Sequence, residues 1–144
     1  MPGRTQDLKI LQPPAVPGRP SAQALGDAAG GWAVAGVDKL AQRFVLRLLT
    51  RAGSQAGRPE EGCGFLDAVA RARSPYDVSV AFRFAAAAIQ SLFAREATAS
   101  DPDDEVFASA DVSDVTLSPG GVSLRVTVVS KAGTSRTRIV PVRR

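Results

Sequence analysis

Hydrophobic residues in the central part of the chain recur every three or four positions, which predicts two helices. The first is predicted over residues 37–51 and the second over residues 74–96. Ser74 can cap the second helix, Pro75 suits its first position, and Asp77 can complete a capping box. The apolar faces consist of Val37, Leu40, Ala41, Phe44, Val45, Leu48 and Leu49 in the first helix and of Val78, Phe82, Ala85, Ile89 and Leu92 in the second.

After the second helix the pattern changes to an alternation with a period of two, which predicts strands. Turns predicted at 118–121 and 131–133 separate the three strands of an antiparallel meander, the first over 106–117 and the last over 134–142. The last strand is polar and basic and has Pro141 near its end, and both features are typical of an edge strand. The row predicted to be buried under the helices consists of Val122, Leu124, Val126 and Val128.

A glycine-rich turn is predicted between the two helices. The segment 52–64 holds four glycines and Pro59, and Gly53 is expected to end the first helix. Gly62 and its neighbours match no phosphate-binding loop, so the segment is interpreted as a long surface turn. After the turn, the chain is expected to return to the core through Phe65, Leu66 and Val69.

These elements predict an α+β fold: an extended N-terminal arm, then two main helices packed with a C-terminal three-stranded antiparallel meander. The arm covers residues 1–25, whose five prolines oppose a regular helix or a central strand, and residues 26–144 form the folded domain. Phe84 and Phe93 lie beside the apolar row of the second helix. They predict that more than one side of this helix is covered.

Composition limits the chemistry that the chain can perform. Its 144 residues, 44% of them hydrophobic, suit one domain, and no run of about 18 apolar residues predicts a membrane span. The chain has one cysteine, Cys63, and no histidine, which argues against a Ser/His/Asp triad, a Cys/His pair and a zinc site. Glu60 and Glu61 are adjacent but lack a second acid at a defined distance. No catalytic residue, cofactor or metal ligand is therefore predicted.

The charges are unevenly distributed although the net charge is only +4. Residues 96–114 contain seven acids and no bases, and residues 121–144 contain six bases and no acids. Such a division suits electrostatic matching at an interface, while the solvated outer faces of strands are the plainer interpretation. Binding of nucleic acid is the sharper alternative, but the basic residues lack interleaved aromatic residues and form no known binding motif.

A row of basic residues follows one side of the first helix at intervals of one turn. A solvated face is the favoured interpretation of this row, and an acidic partner is the alternative. The edge strand offers backbone groups to which a partner strand can pair. The hypothetical partner-binding residues are Lys39, Arg43 and Arg47 in the helix and Thr134, Arg136, Arg138 and Val140 in the strand.

Several residues in the helical part carry a resemblance to a known family. They are Gly31-Trp32 and Gly36 before the first helix, Gln42, Leu48-Leu49-Thr50 and Gly53 in or after it, and Pro59, Gly62 and Leu66 around the turn. With a second helix and a β meander following, the chain resembles the baseplate wedge protein of contractile phage tails and type VI secretion systems, a family sometimes labelled lysozyme-like. That family commonly has a Glu-Pro-Arg triplet before its sheet, where residues 101–106 here are Asp-Pro-Asp-Asp-Glu-Val.

The resemblance implies a structural protein and no enzyme. It implies a place in the tail baseplate of a virion assembled in the host cytoplasm, within a hetero-oligomeric ring of expected six-fold symmetry. Its implied partners are the larger wedge subunits, the sheath protein and tube-proximal hub proteins. From the residues themselves, neither a nucleic-acid partner nor a membrane span is predicted. The edge strand is expected to seed the first sheath ring by strand addition. A peptidoglycan-degrading tail enzyme and a basic nucleic-acid-binding module are the alternatives.

Overall fold

The sheet and helices of the protein follow the predicted order. A computed structural model describes residues 7–8 and 33–144, so most of the predicted arm and the Gly31-Trp32 pair lie outside the described residues. Three helices and a three-stranded antiparallel sheet confirm the α+β fold. The elements are β1 (Asp7–Leu8), β2 (Ala33–Val34), α1 (Gly36–Leu48), α2 (Phe65–Arg71), α3 (Pro75–Glu96), β3 (Phe107–Ser118), β4 (Gly121–Ser130) and β5 (Ser135–Arg143).

The main sheet has the strand order β3-β4-β5 and carries helices on one face. The predicted apolar row of β4 is buried, and β5 adds Val140 and Val142 to the same layer. α1 packs on β4 and β5, while α3 packs on β3. A separate antiparallel ladder joins β1 to β2 immediately before α1. The C-terminal strand β5 thus lies at one edge of the main sheet, as predicted.

Five phenylalanine rings tie the helices to the sheet. Phe107 at the start of β3 stacks on Phe44 of α1, with ring centroids 5.6 Å apart, and meets Phe93 of α3 edge-on at the same distance. Phe82 of α3 contacts Phe44 and, at 6.3 Å, Phe65 of α2. Such tilted and offset pairs stabilise beyond the area that they bury. The cluster therefore fixes α1 and α3 relative to the sheet.

The start of α3 has the predicted capping box. The Ser74 hydroxyl accepts from the Asp77 N–H at 3.2 Å, and the Asp77 carboxylate accepts from the N–H groups of Ser74 and Arg73. The bond from the Arg73 backbone, together with those from Ser74, lowers the pKa of Asp77 below its ordinary value. The cap is therefore strongest when Asp77 is ionised.

We expect Asp77→Asn to lower the free energy of unfolding at neutral pH and to lose this effect in acid. The pKa of Asp77 is lowered on folding, so its contribution is full above the unfolded-state pKa and disappears as the pH falls through the folded-state pKa. Urea unfolding at a series of pH values measures the difference from wild type. Asp103→Asn, at an exposed ion pair with Lys131, is the control. A loss of unfolding free energy in Asp77→Asn that does not change with pH would contradict this role.

Three details of the helices differ from the prediction. α1 ends at Leu48 and not at residue 51, because the chain turns there and the Thr50 carbonyl accepts from the Cys63 N–H at 2.9 Å. The helix α2 was not predicted, since seven residues show too little of a helical period. The prediction that α3 is covered on more than one side is wrong at Phe84, whose side chain is 76% exposed.

The glycine-rich turn behaves as predicted. Residues 51–60 are exposed, and the chain then returns to the core, where Phe65 and Val69 are fully buried. Gly62 makes the return possible: its φ is +97°, and a Cβ at this position would lie 2.5 Å from the carbonyl oxygen of Thr50. Only glycine combines this backbone conformation with such a close approach.

α3 is the one helix in the described part of the chain that is long and apolar enough to cross a membrane. Length and composition are the only grounds for this, and the core helix of a soluble protein meets the same criteria. About a third of the apolar stretch is buried in the protein, where Phe82 and Ile89 face the core. The absence of a membrane span stays a prediction.

Candidate functional site

The two edges of the main sheet differ in regularity. β5 pairs with β4 in a single register from Gly121↔Arg143 to Val129↔Ser135. β3 pairs with β4 in three registers, separated by two shifts, and Asp114 at the second shift has a φ of +51°. Register shifts and bulges at an edge oppose further pairing. β5 is therefore the edge that suits an added strand.

The direction of the β5 amides follows from two hydrogen bonds at its ends. The carbonyl of Thr134 accepts from the Ser130 N–H at 2.8 Å, and the Arg144 N–H donates to the Gly120 carbonyl. Thr134 and Arg144 both have even numbers, and the register between them is unbroken. The backbone N–H and C=O groups of the even-numbered residues of β5 therefore point towards β4. Backbone groups point away from β4 at Ser135, Thr137, Ile139, Pro141 and Arg143.

Pro141 limits the length of this pairing surface. It has no N–H, so a strand lying beside β5 finds an acceptor but no donor there. Residues 135–139, which we call the open edge, offer both groups and make no backbone hydrogen bond outward to another described residue. Ile139 is 57% exposed. The open edge thus provides a short, regular template for β-strand addition.

Two predicted site residues lie at the open edge and share one acid. The Arg136 Nε lies 2.7 Å and the Arg138 Nη2 2.9 Å from the Oδ1 of Asp38, in the first turn of α1. Both arginines alternate with the outward-facing amides and lie on the helix-covered face, in line with Val140. Two guanidinium groups against one carboxylate leave one positive charge at this edge.

The basic row on α1 binds acids of the same chain. Lys39 is buried, and its Nζ lies 3.0 Å from the Oε2 of Glu105, which is also buried. Arg43 and Arg47 both bind the carboxylate of Glu96 at the end of α3, at 3.0 and 2.6 Å. The solvated-face interpretation is therefore wrong for Lys39, while the side chain of Arg43 is 34% exposed. The end of α3 and the linker after it supply counter-charges to the row.

Two more predicted partner-binding residues are occupied within the fold. Val140 is 2% exposed and its amide faces β4, so neither its side chain nor its backbone is available to a partner. Thr134 precedes β5, and its hydroxyl and carbonyl both bond to Ser130. The groups that face outward instead, at Ser135, Thr137 and Ile139, are not among the predicted site residues. Counting in steps of two from Pro141 identifies them, since proline's missing N–H belongs on the open side.

The division of charge along the chain is matched inside the protein. Arg125 on β4 lies 3.0 Å from Asp114 on β3, and Lys131 lies 3.3 Å from Asp103 in the linker. Both pairs join the acidic segment to the basic one. Such exposed pairs stabilise little, but they lower the net field of the basic segment. Part of the charge division is thus neutralised within one chain, and electrostatic matching at an interface stays a prediction.

The acids near the end of α3 border a cavity of about 180 Å³ over Phe93 and Phe107. A general acid needs a raised pKa. The hydrogen bond from the Thr98 N–H instead lowers the pKa of Asp101, and Glu105 is bound to Lys39. These contacts favour structural roles for the two acids.

Cys63 lies in the core behind the glycine-rich turn. Its Sγ lies 3.5 Å from the carbonyl oxygen of Leu48, a weak hydrogen bond in which the thiol is the donor. Burial raises the pKa of the Cys63 thiol and so opposes formation of the thiolate, the nucleophilic form. A structural role for Cys63 is therefore favoured over a nucleophilic one.

A second surface lies on α3, opposite the core. Tyr76 and Phe84 are 74% and 76% exposed, and Val80 lies between them at intervals of one turn. We call these three residues the aromatic face. Two aromatic rings exposed on one side of a helix are more typical of binding surfaces than of surfaces that contact only water.

The open edge and the aromatic face are the two surfaces on which a function can be argued. One offers backbone hydrogen bonds, and the other offers apolar area on a rigid helix. Comparison of the chain with protein-family models, curated proteins and solved structures finds no match.

Proposed function

We propose that this protein is a structural component of the baseplate of a contractile tail or injection system, where it joins wedge subunits and seeds the first sheath ring by β-strand addition. The open edge carries this proposal. Strand addition requires unpaired N–H and C=O groups in a regular register, and residues 135–139 supply both. A strand of the sheath protein is the proposed occupant.

The properties of the opposite edge support the choice of β5. β3 carries Asp111 and Asp114, and its register with β4 shifts between Ser113 and Thr116. An irregular, acidic edge opposes uncontrolled pairing, which at both edges would join copies into fibres. A subunit that starts an ordered ring must accept a partner strand at only one edge of its sheet.

The aromatic face supports the proposed contact with the larger wedge subunits. α3 is 22 residues long, or roughly 33 Å, and presents Tyr76 and Phe84 to the outside about 12 Å apart. The exposed Ala87 and Ala88 continue the surface and allow another helix to approach closely. A helix of a wedge subunit is therefore the proposed partner of this surface.

We expect Thr137→Pro to block sheath formation while the baseplate still assembles. The substitution removes an outward N–H, and no bond to β4 is lost because odd-numbered amides face away from that strand. Pro141 shows that β5 accepts proline in this orientation. The test is complementation of cells lacking this protein, with sheaths and baseplates counted by electron microscopy. Normal sheaths in the Thr137→Pro strain would overturn the proposed strand addition.

Thr137→Val is the matched control. Both substitutions remove the bond between the hydroxyls of Thr127 and Thr137, which are 2.9 Å apart, but valine keeps the backbone N–H. The valine variant should restore sheaths. Arg138→Pro is not suited to this test, because the Arg138 amide faces β4 and its loss would damage the sheet itself.

A further inference from the structure

We infer that the open edge selects a partner strand with acidic side chains on the face that meets Arg136 and Arg138. The inference rests on the proposed strand addition and adds the chemistry of the partner. Backbone pairing alone accepts almost any extended sequence, so selection must come from side chains on the two faces. Only one of these faces is charged along the open edge.

The charged face is the one that packs under α1. A strand added beside β5 places every second side chain on this face, within reach of Arg136 or Arg138. Asp38 binds both guanidinium groups and balances only one of them. The side chains remain partly accessible, with 44% of Arg136 and 23% of Arg138 exposed. An incoming carboxylate therefore completes the charge balance.

The other face sets no charge preference. Ser135, Thr137 and Ile139 alternate with the arginines and are exposed on the outer face of the sheet. They favour β-branched or small polar neighbours, which form good cross-strand pairs. The partner is therefore an extended segment in which acidic residues alternate with neutral, strand-forming ones.

A second copy of this chain does not meet the requirement. Outward amides lie on odd-numbered residues, so two antiparallel β5 strands centred on Thr137 would place each Arg136 directly opposite an Arg138. Like charges directly opposite each other are unfavourable. The same arginines that attract an acidic strand thus oppose self-pairing in the register centred on Thr137, the middle of the open edge.

Two synthetic peptides test the preference on the intact protein. Each has about seven residues, enough to span the open edge at roughly 3.4 Å per residue, and alternates threonine or valine with either glutamate or lysine. Hydrogen exchange of the backbone amides of Ser135, Thr137 and Ile139 reports pairing. We expect the glutamate peptide to protect these amides and to bind about tenfold more tightly than the lysine peptide.

An Arg136→Gln/Arg138→Gln variant is the matched control. It keeps the backbone of the open edge, so both peptides should bind it with similar affinity. Added salt should likewise reduce the preference in the wild-type protein. Equal protection of the wild type by both peptides would overturn the acidic preference and leave strand addition standing. Failure of both peptides to protect the three amides would overturn strand addition at this edge as well.

Discussion

Gly62→Ala is expected to destabilise the protein by about 3 kcal/mol, through backbone strain together with a steric clash. The φ of Gly62 is +97°, where an L-residue is strained. The added Cβ would lie 2.5 Å from the carbonyl oxygen of Thr50 and 2.7 Å from that of Arg51. These are backbone atoms, and the Thr50 carbonyl is held by the Cys63 N–H. The clash cannot be relieved by rotating a side chain.

Gly57→Ala in the same turn separates the two effects. Gly57 has a φ of +77°, and nothing lies within 4 Å of the Cβ that alanine would add. The Gly57→Ala variant should lose only the stability that the left-handed backbone conformation costs an alanine, about 1–2 kcal/mol. Urea unfolding of the two variants measures the difference. Equal losses would mean that the approach of Gly62 to Thr50 and Arg51 is not limiting.

Local signals predict much of this fold correctly. Ser74, Pro75 and Asp77 lie next to one another in the chain, so the start of α3 follows from chemistry within one helical turn. The β meander is equally local, since each strand pairs with the next through a short turn. The buried row of β4 then follows from the alternation alone.

Contacts between distant segments could not be predicted in this way. Lys39 and Glu105 are separated by 66 positions, and Asp38 lies about 100 positions from Arg136 and Arg138. The spacing of the basic row on α1 shows that the residues share a side of the helix. It does not show that the end of α3 approaches that side, which depends on the tertiary packing.

The open edge was predicted only in part. The polarity of β5 and its proline indicate an edge strand, but the four predicted site residues, Thr134, Arg136, Arg138 and Val140, all have even numbers. The backbone groups of even-numbered residues point at β4, so none of the four offers its amide or carbonyl to an added strand. The parity set by Pro141 was available in the sequence, and applying it selects residues 135, 137 and 139.

α1 links the buried ion pair to the open edge. Glu105 accepts a hydrogen bond from the Gly36 N–H at 3.0 Å and binds Lys39 one turn later, so it fixes the start of the helix. Asp38 lies between these two residues and holds Arg136 and Arg138. A loss of order at the start of α1 should therefore reach the arginines of the edge.

Glu105→Gln is expected to destabilise the protein by about 3 kcal/mol, because it removes one member of a buried ion pair. Glutamine keeps an acceptor for the Gly36 N–H but leaves the charge of Lys39 without the Glu105 carboxylate in a site that is 92% shielded from water. Denaturant unfolding measures the loss. The same change should weaken the preference of the open edge for the glutamate peptide, since Asp38 positions the two arginines.

Glu96→Gln is the matched control, because it also neutralises an acid that binds basic residues of α1. The Glu96 side chain is 36% exposed, so its pairs with Arg43 and Arg47 are screened by water and should contribute less than about 1 kcal/mol. Glu96 contacts α1 at Arg43 and Arg47, farther along the helix than Asp38. The Glu96→Gln substitution should therefore leave the preference for the glutamate peptide unchanged. If both variants lost equal stability and both kept the preference, burial would not distinguish the two acids, and Glu105 would have no connection to the edge.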